Sequence, residues 1–182
     1  MSSFMSSGYR AVFTPTPQRI LISYYLDSAN QEDRPAFYGE IQGINNLISL
    51  STLQCSLSTP HDEEILLIKS QSTLFSNKWN LYGRDDFLIG KVLTNNKTPS
   101  VMGQVQCNEW GTLGRIQYSN HDKSCVITRD DQTFGSIDFV DTNNYHFHLD
   151  GSIKNKKSPN LLFLGLAAIV YAIQNTALIP YS

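Results

Sequence analysis

From Ile20 to Leu149 the chain is a succession of short apolar runs, each closed by a cluster of Asn, Asp, Gly, Ser or Pro. In the clearest of them the period is two: Tyr145, Phe147 and Leu149 share one side, while His146 and His148 share the other. Ile20, Ile22, Tyr24 and Leu26 repeat the pattern earlier in the chain. Such alternation predicts strands with one buried and one wet face. Further runs fall at residues 37–41, 47–53, 65–69, 79–82, 87–93, 101–106, 113–118, 125–128 and 134–140, with polar connections at 56–64 and 94–99. Gly83-Arg84-Asp85-Asp86 reads as a hairpin turn between two of them. Strands recurring at intervals of roughly 8 to 12 residues, about twelve in all, point to a sandwich or a barrel.

The pattern then changes. Leu161 to Ile173 form an unbroken apolar run of 13 residues without a charge, introduced by Ser158 and Pro159. Ser158 can cap a first turn, and Pro159 in that turn forfeits no hydrogen bond, so a helix is expected over about residues 159–175. A helix that is apolar all round must be enclosed by protein or by lipid. Lys154, Lys156 and Lys157 precede it like the basic flank of a membrane anchor. The run falls short of the roughly 20 residues of a span, however, and extending it to Ile179 would bring Gln174, Asn175 and Thr176 into hydrocarbon. Enclosure by protein is the expected environment, and a tail anchor is the alternative.

Both halves of the pattern are satisfied by one architecture. Strands with one apolar face need something to cover, and the helix needs covering on every side. The expected fold is therefore mainly β: a closed antiparallel β-barrel of about twelve strands around a buried apolar C-terminal α-helix. A flexible start over residues 1–8 precedes a single domain over 9–182. At 182 residues the chain suits one domain with a real core.

Charge and cysteine usage narrow the function classes. With a net charge of -2 and a pI near 6.0, no global basic field recruits nucleic acid. Cys55, Cys107 and Cys125 make an odd count with no C-x-x-C pair, which fits a reducing, cytoplasmic setting and buried, inert thiols. The Ser-rich N-terminus has no basic region followed by an apolar stretch, so no secretory signal is expected, and Asn96-Lys97-Thr98 reads as a turn.

Several segments together carry a family resemblance. Val101 through Thr112 runs V-M-G-Q-V-Q-C-N-E-W-G-T, with Gly103, Asn108, Gly111 and Thr112 in step with a G-x-L-x-S-N-x-x-G-T segment; Ile65-Leu66-Leu67, Ser76-Asn77 and Pro159 with its apolar run add to it. The chain from about Ile65 onward thereby resembles the carboxy-terminal domain of the tubby-like proteins, a superfamily including scramblase-like and LURP-one-related members. The resemblance implies a twelve-stranded barrel around an apolar helix, and binding of phosphoinositide at the plasma membrane. In the family that binding uses a dense Lys/Arg run between the Leu-Leu strand and the Ser-Asn. Here the matching segment 68–75 contains only Lys69, and the family's basic position in the later segment is Gln106.

The candidate chemistry is correspondingly thin. Lys69, Lys78, Arg84 and Lys91 lie on adjacent expected strands and form the candidate lipid-binding patch, with Glu63, Glu64, Asp85 and Asp86 nearby to offset it. His146 and His148 share a strand face at a spacing that metal sites use, but no carboxylate or Cys accompanies them in sequence, so solvated histidines and no metal are expected. Asp85-Asp86 and Asp130-Asp131 are turn residues rather than a catalytic pair. No phosphate loop, G-x-S-x-G or H-E-x-x-H occurs. The expectation is a non-enzymatic, monomeric binding module without cofactors, peripheral at the inner face of the plasma membrane through anionic phospholipid headgroups. A scramblase-like anchored protein and a lipid-independent scaffold for a protein partner are the alternatives.

Overall fold

The computed structural model describes residues 8–27, 34–44, 52–72, 76–95, 100–108, 111–119, 124–129, 132–149, 157–175 and 179–180. Twelve strands follow one another around a closed barrel: β1 (Gly8–Pro15), β2 (Ile20–Leu26), β3 (Phe37–Ile44), β4 (Thr52–Ser58), β5 (Glu64–Ser72), β6 (Ser76–Tyr82), β7 (Leu88–Asn95), β8 (Ser100–Cys107), β9 (Gly111–Ser119), β10 (Ser124–Arg129), β11 (Gln132–Asp141) and β12 (Asn144–Leu149). Each pairs antiparallel with its neighbours in sequence. β1 then pairs with β12, from Gly8 opposite His148 to Val12 opposite Asn144, and the ring is complete. Closure leaves no sheet edge to pair with another chain.

Tyr9, Ala11 and Phe13 of β1 point inward, as do Ile20, Ile22 and Tyr24 of β2, Leu66 and Ile68 of β5, and Tyr145 and Phe147 of β12. The space they enclose is filled by α1 (Lys157–Gln174), whose residues 161–172 are all buried. The helix is held at several heights. At one level the Tyr24 hydroxyl donates to the Leu164 carbonyl at 2.9 Å. Toward the far end, the Tyr171 ring stacks on Phe13 with centroids 4.0 Å apart and planes 8° from parallel, and the Tyr145 hydroxyl donates to Gln174 Oε1 at 2.5 Å. Past the helix, Ile179 is buried and the Gly43 N–H donates to the Pro180 carbonyl at 2.8 Å.

Glycines let helix and wall approach closely. A Cβ on Gly165 would stand 2.8 Å from Leu81 Cδ2 and 3.0 Å from both Ile68 Cδ1 and Leu66 Cδ2. Glycine inside a helix costs about 1 kcal/mol relative to alanine. Here the close approach of α1 to β5 and β6 supplies its reason.

Three sequence expectations change. The start is not loose up to residue 8: Gly8 opens β1, a strand absent from the expected list, whereas residues 1–7 lie outside the described set. The run expected at 47–53 meets β4 (Thr52–Ser58) only at its end, and the inward residues of that strand are Cys55 and Leu57; 45–51 lie outside the described set. The helix begins at Lys157 and ends at Gln174, so Pro159 is still within the first turn, where its missing N–H was unpaired anyway.

Leu164→Asp should abolish the folded barrel. A buried uncompensated charge costs about 3–5 kcal/mol and the lost leucine packing about 2–5 more, against a total stability of about 5–15 kcal/mol. Far-UV circular dichroism and gel filtration read the outcome. Gly165→Leu should lower the midpoint of chemical denaturation by the equivalent of at least about 1–3 kcal/mol; an unchanged midpoint would mean that α1 does not press on β5 and β6.

Candidate functional site

Because α1 occupies the interior, the strands' polar side chains available for recognition among the described residues are those turned outward. Across β5, β6 and β7 the register places Lys69 opposite Asn80 and Asn80 opposite Lys91, and β8 continues the row with Gln106. The row faces out because its neighbours Ile68, Leu81, Val92 and Val105 are buried. Lys78 lies two residues before Asn80 on the same face of β6. With strands about 4.8 Å apart and residues about 3.4 Å apart along them, the three lysine positions sit within about 10 Å of one another. That is about one Debye length at 0.1 M salt, so they act on a nearby anion together.

Around these lysines the partners are neutral. Lys69 Nζ stands 5.7 Å from the centroid of the Tyr82 ring, which guides its stem along the wall. Asn80 is buried between the two lysine positions, and its Oδ1 receives no hydrogen bond from the protein. Among the described residues none of the three lysines is ion-paired with a carboxylate.

Arg84 stands apart from them. It opens the short 3-10 turn Arg84–Asp86 between β6 and β7, at the barrel rim, and pairs with Glu63 across exposed surface. Asp85 and Asp86 carry the turn at φ of 58° and 56°, a left-handed conformation that short carboxylate residues tolerate. The structure therefore brings together Lys69, Lys78 and Lys91 and leaves Arg84 separate. Lys154, Lys156, Asp130, Asp131 and Asn96-Lys97-Thr98 lie outside the described residues, as does the side chain of Lys157.

The segment between β8 and β9 has a structural task. Asn108 donates its backbone N–H to the Ile89 carbonyl at 2.9 Å and its side-chain amide to the Leu88 carbonyl at 2.6 Å, pinning the turn to β7. A Cβ on Gly103 would meet the Leu93 carbonyl oxygen at 2.2 Å, so only glycine fits there.

Elsewhere on the outer wall, His146 and His148 of β12 point outward as their alternation predicts, with ring centroids 4.2 Å apart. Their missing carboxylate is supplied by Asp27, 119 residues before His146 in sequence, whose Oδ2 lies 2.5 Å from His146 Nε2. That partner was illegible locally. It follows from the pairing of β1 with β12, the one contact that joins the two ends of the strand series. At the barrel end where α1 finishes, Phe139, Val140, Asp141, Thr142, Tyr145, Gln174 and Asn175 line an open cleft of about 420 Å³.

The cysteines are buried, as expected, and are not joined by disulfides. Burial pushes the Cys125 thiol up to about 12 and the Cys55 thiol higher still, with the Glu40 carboxylate adding to the latter. These thiols are poor nucleophiles. The same burial raises the Tyr9 phenol to about 12 and the Tyr24 phenol well above its usual range.

In an unfolded chain thiols titrate near about 8.5 and phenols near about 10. The folded state therefore keeps protons that the unfolded state gives up, and this contribution to stability is complete below about pH 8.5 and lost progressively above it. The guanidinium midpoint should fall between pH 8.5 and 11. A midpoint that is flat or rising over that range would contradict the burial of these groups.

Comparison with protein-family models, with curated proteins and with solved structures finds no match to this chain.

Proposed function

We propose that the protein is a non-catalytic, tubby-like binding module that associates weakly with anionic membrane lipid of the phosphoinositide kind, through Lys69, Lys78 and Lys91. The observation that carries this reading is the convergence of three lysines from three consecutive strands on one outer face, with no carboxylate among the described residues paired to any of them. A multiply charged headgroup requires cations that converge, and a rigid sheet fixes the strand positions from which these three project.

The number of cations sets the strength. At about 1 kcal/mol for each cation near an acidic membrane, three lysines favour the anionic surface by about 3 kcal/mol, roughly a hundredfold. This describes a reversible peripheral contact at the inner face of the plasma membrane. The family resemblance places a basic residue where this chain has Gln106, and Gln106 stands directly across from Lys91. A fourth cation there would extend the same row, so this module is a weakened member of the pattern rather than one with its ligand contacts elsewhere.

The absence of catalysis is part of the same proposal. The interior that many barrels use as a ligand cavity is taken by α1, all three cysteines are buried, and burial holds the Cys55 and Cys125 thiols protonated. A scramblase-like anchor is less favoured, because the side chains it would offer to lipid, residues 161–172, are those the strands cover. No helix of the described residues is long and apolar enough to cross a membrane.

Sedimentation with vesicles of neutral lipid, with and without a few per cent phosphoinositide, tests the proposal. Wild-type protein should be retained by the phosphoinositide vesicles and released by salt. Combined Lys69→Gln, Lys78→Gln and Lys91→Gln should lower retention roughly a hundredfold without shifting the melting temperature, and Gln106→Lys should raise it about fivefold. Equal retention on neutral and phosphoinositide vesicles would overturn the reading and leave a lipid-independent scaffold for a protein partner.

A further inference from the structure

We infer that Asp27, His146 and His148 form a binding site for a divalent transition-metal ion on the outer wall where the barrel closes. The strand order builds it. β1 lies between β2 and β12, and its residue at this level, opposite His148, is Gly8. Asp27 directly follows β2, and its backbone N–H donates to the Gly8 carbonyl at 3.1 Å. From there its carboxylate lies over the bare glycine and reaches across β1 to β12. A Cβ on Gly8 would stand 2.4 Å from Asp27 Oδ2, so the absence of a side chain opens this path.

The donor atoms already converge. His146 Nε2 is 2.5 Å from Asp27 Oδ2, and one ligand atom from each of the three residues falls within 4.8 Å of the other two. Zinc takes imidazole nitrogen and carboxylate oxygen at about 2.0–2.2 Å, which sets neighbouring donors about 3.3 Å apart in a tetrahedron. The aspartate and His146 would separate by less than about 1 Å, and His148 would swing in by a side-chain rotation. Asp27 and His148 are exposed and His146 half-buried, so the rotation disturbs no core packing, and water completes the coordination.

Two imidazoles with one carboxylate select for zinc, cobalt, nickel or copper, whereas magnesium and calcium prefer all-oxygen sites. Arg10, opposite His146 in register and so on the same outer face, turns its guanidinium toward β2, 4.6 Å from the centroid of the Tyr25 ring, on the side of β1 away from the two histidines.

Calorimetric titration of the untagged full-length chain with zinc chloride, and the visible spectrum with cobalt chloride, test the inference. The expected result is one ion per chain, an intensified cobalt d–d band, and a melting temperature that rises with zinc. Magnesium and calcium at excess should not compete. His148→Ala spares the hydrogen bond between Asp27 and His146, so its fold is retained while affinity falls at least about tenfold. Gly8→Ala, which displaces the carboxylate, should weaken binding in the same way. No saturable uptake of zinc or cobalt by the wild-type chain would overturn the site, and so would uptake unaltered by His148→Ala, which would place the ion at other residues.

Discussion

The structure depends on the enclosure of a helix that has no polar side. α1 could not rest on an open sheet, because a single sheet face would leave half of its leucines, isoleucines and alanines in water. A ring of strands covers it from every direction. The strands in turn acquire a core only because the helix is there: the inner faces of a twelve-stranded ring are too far apart to fill the interior with their own side chains alone. Helix and barrel are therefore one folding unit, and the closing contact between β1 and β12 has to form around a helix that leaves the chain after both of them.

The hydrogen bond from Tyr24 to the Leu164 carbonyl and the stacking of Tyr171 on Phe13 show how that unit is put in register. Apolar contacts alone would let α1 slide or rotate, since one leucine is much like another. A buried hydroxyl that must find an acceptor, and a flat ring with one favourable partner, fix its height and its rotation at two levels. Both partners belong to β1 and β2, so the strands that close the barrel are also those that orient its filling.

Much of this was legible in the sequence, and the exceptions have physical causes. Thirteen consecutive uncharged residues behind Ser158 and Pro159 announced an enclosed helix, and the period of two in 145–149 announced which side of β12 faces it. β1 carries the same period in Tyr9, Ala11 and Phe13, but Ala11 is small, Pro15 ends the strand and a Ser-rich segment precedes it, so the signal is faint beside the neighbouring strands. Of the candidate cations, Lys69, Lys78 and Lys91 lie on one outer face because consecutive hairpin strands are neighbours in space as in sequence. Arg84 joins them in the sequence pattern as a residue of the same adjacent strands, and only the turn geometry shows that it pairs with Glu63 at the rim. Asp27 was out of reach: no local pattern tells that the residue after the second strand will meet the twelfth. Barrel closure alone determines that contact.

Closure also separates the two proposed outer sites. In a ring of twelve strands, β6 is six steps from β12 in either direction, so the lysine face of β5 to β7 and the histidine face of β12 lie on opposite walls. A membrane surface against the first wall leaves the second in water, and charge placed on one is screened from the other by a barrel diameter that exceeds the Debye length of about 8 Å at physiological ionic strength. Two ligands bound to such a body do not compete for space or interact directly through their charge. Any coupling between them would have to pass through the strands and the helix packed between them, and the close fit of Gly165 against Leu66, Ile68 and Leu81 leaves that path little room to move. The architecture therefore favours independent occupancy, which follows from filling a barrel with a helix rather than with a ligand.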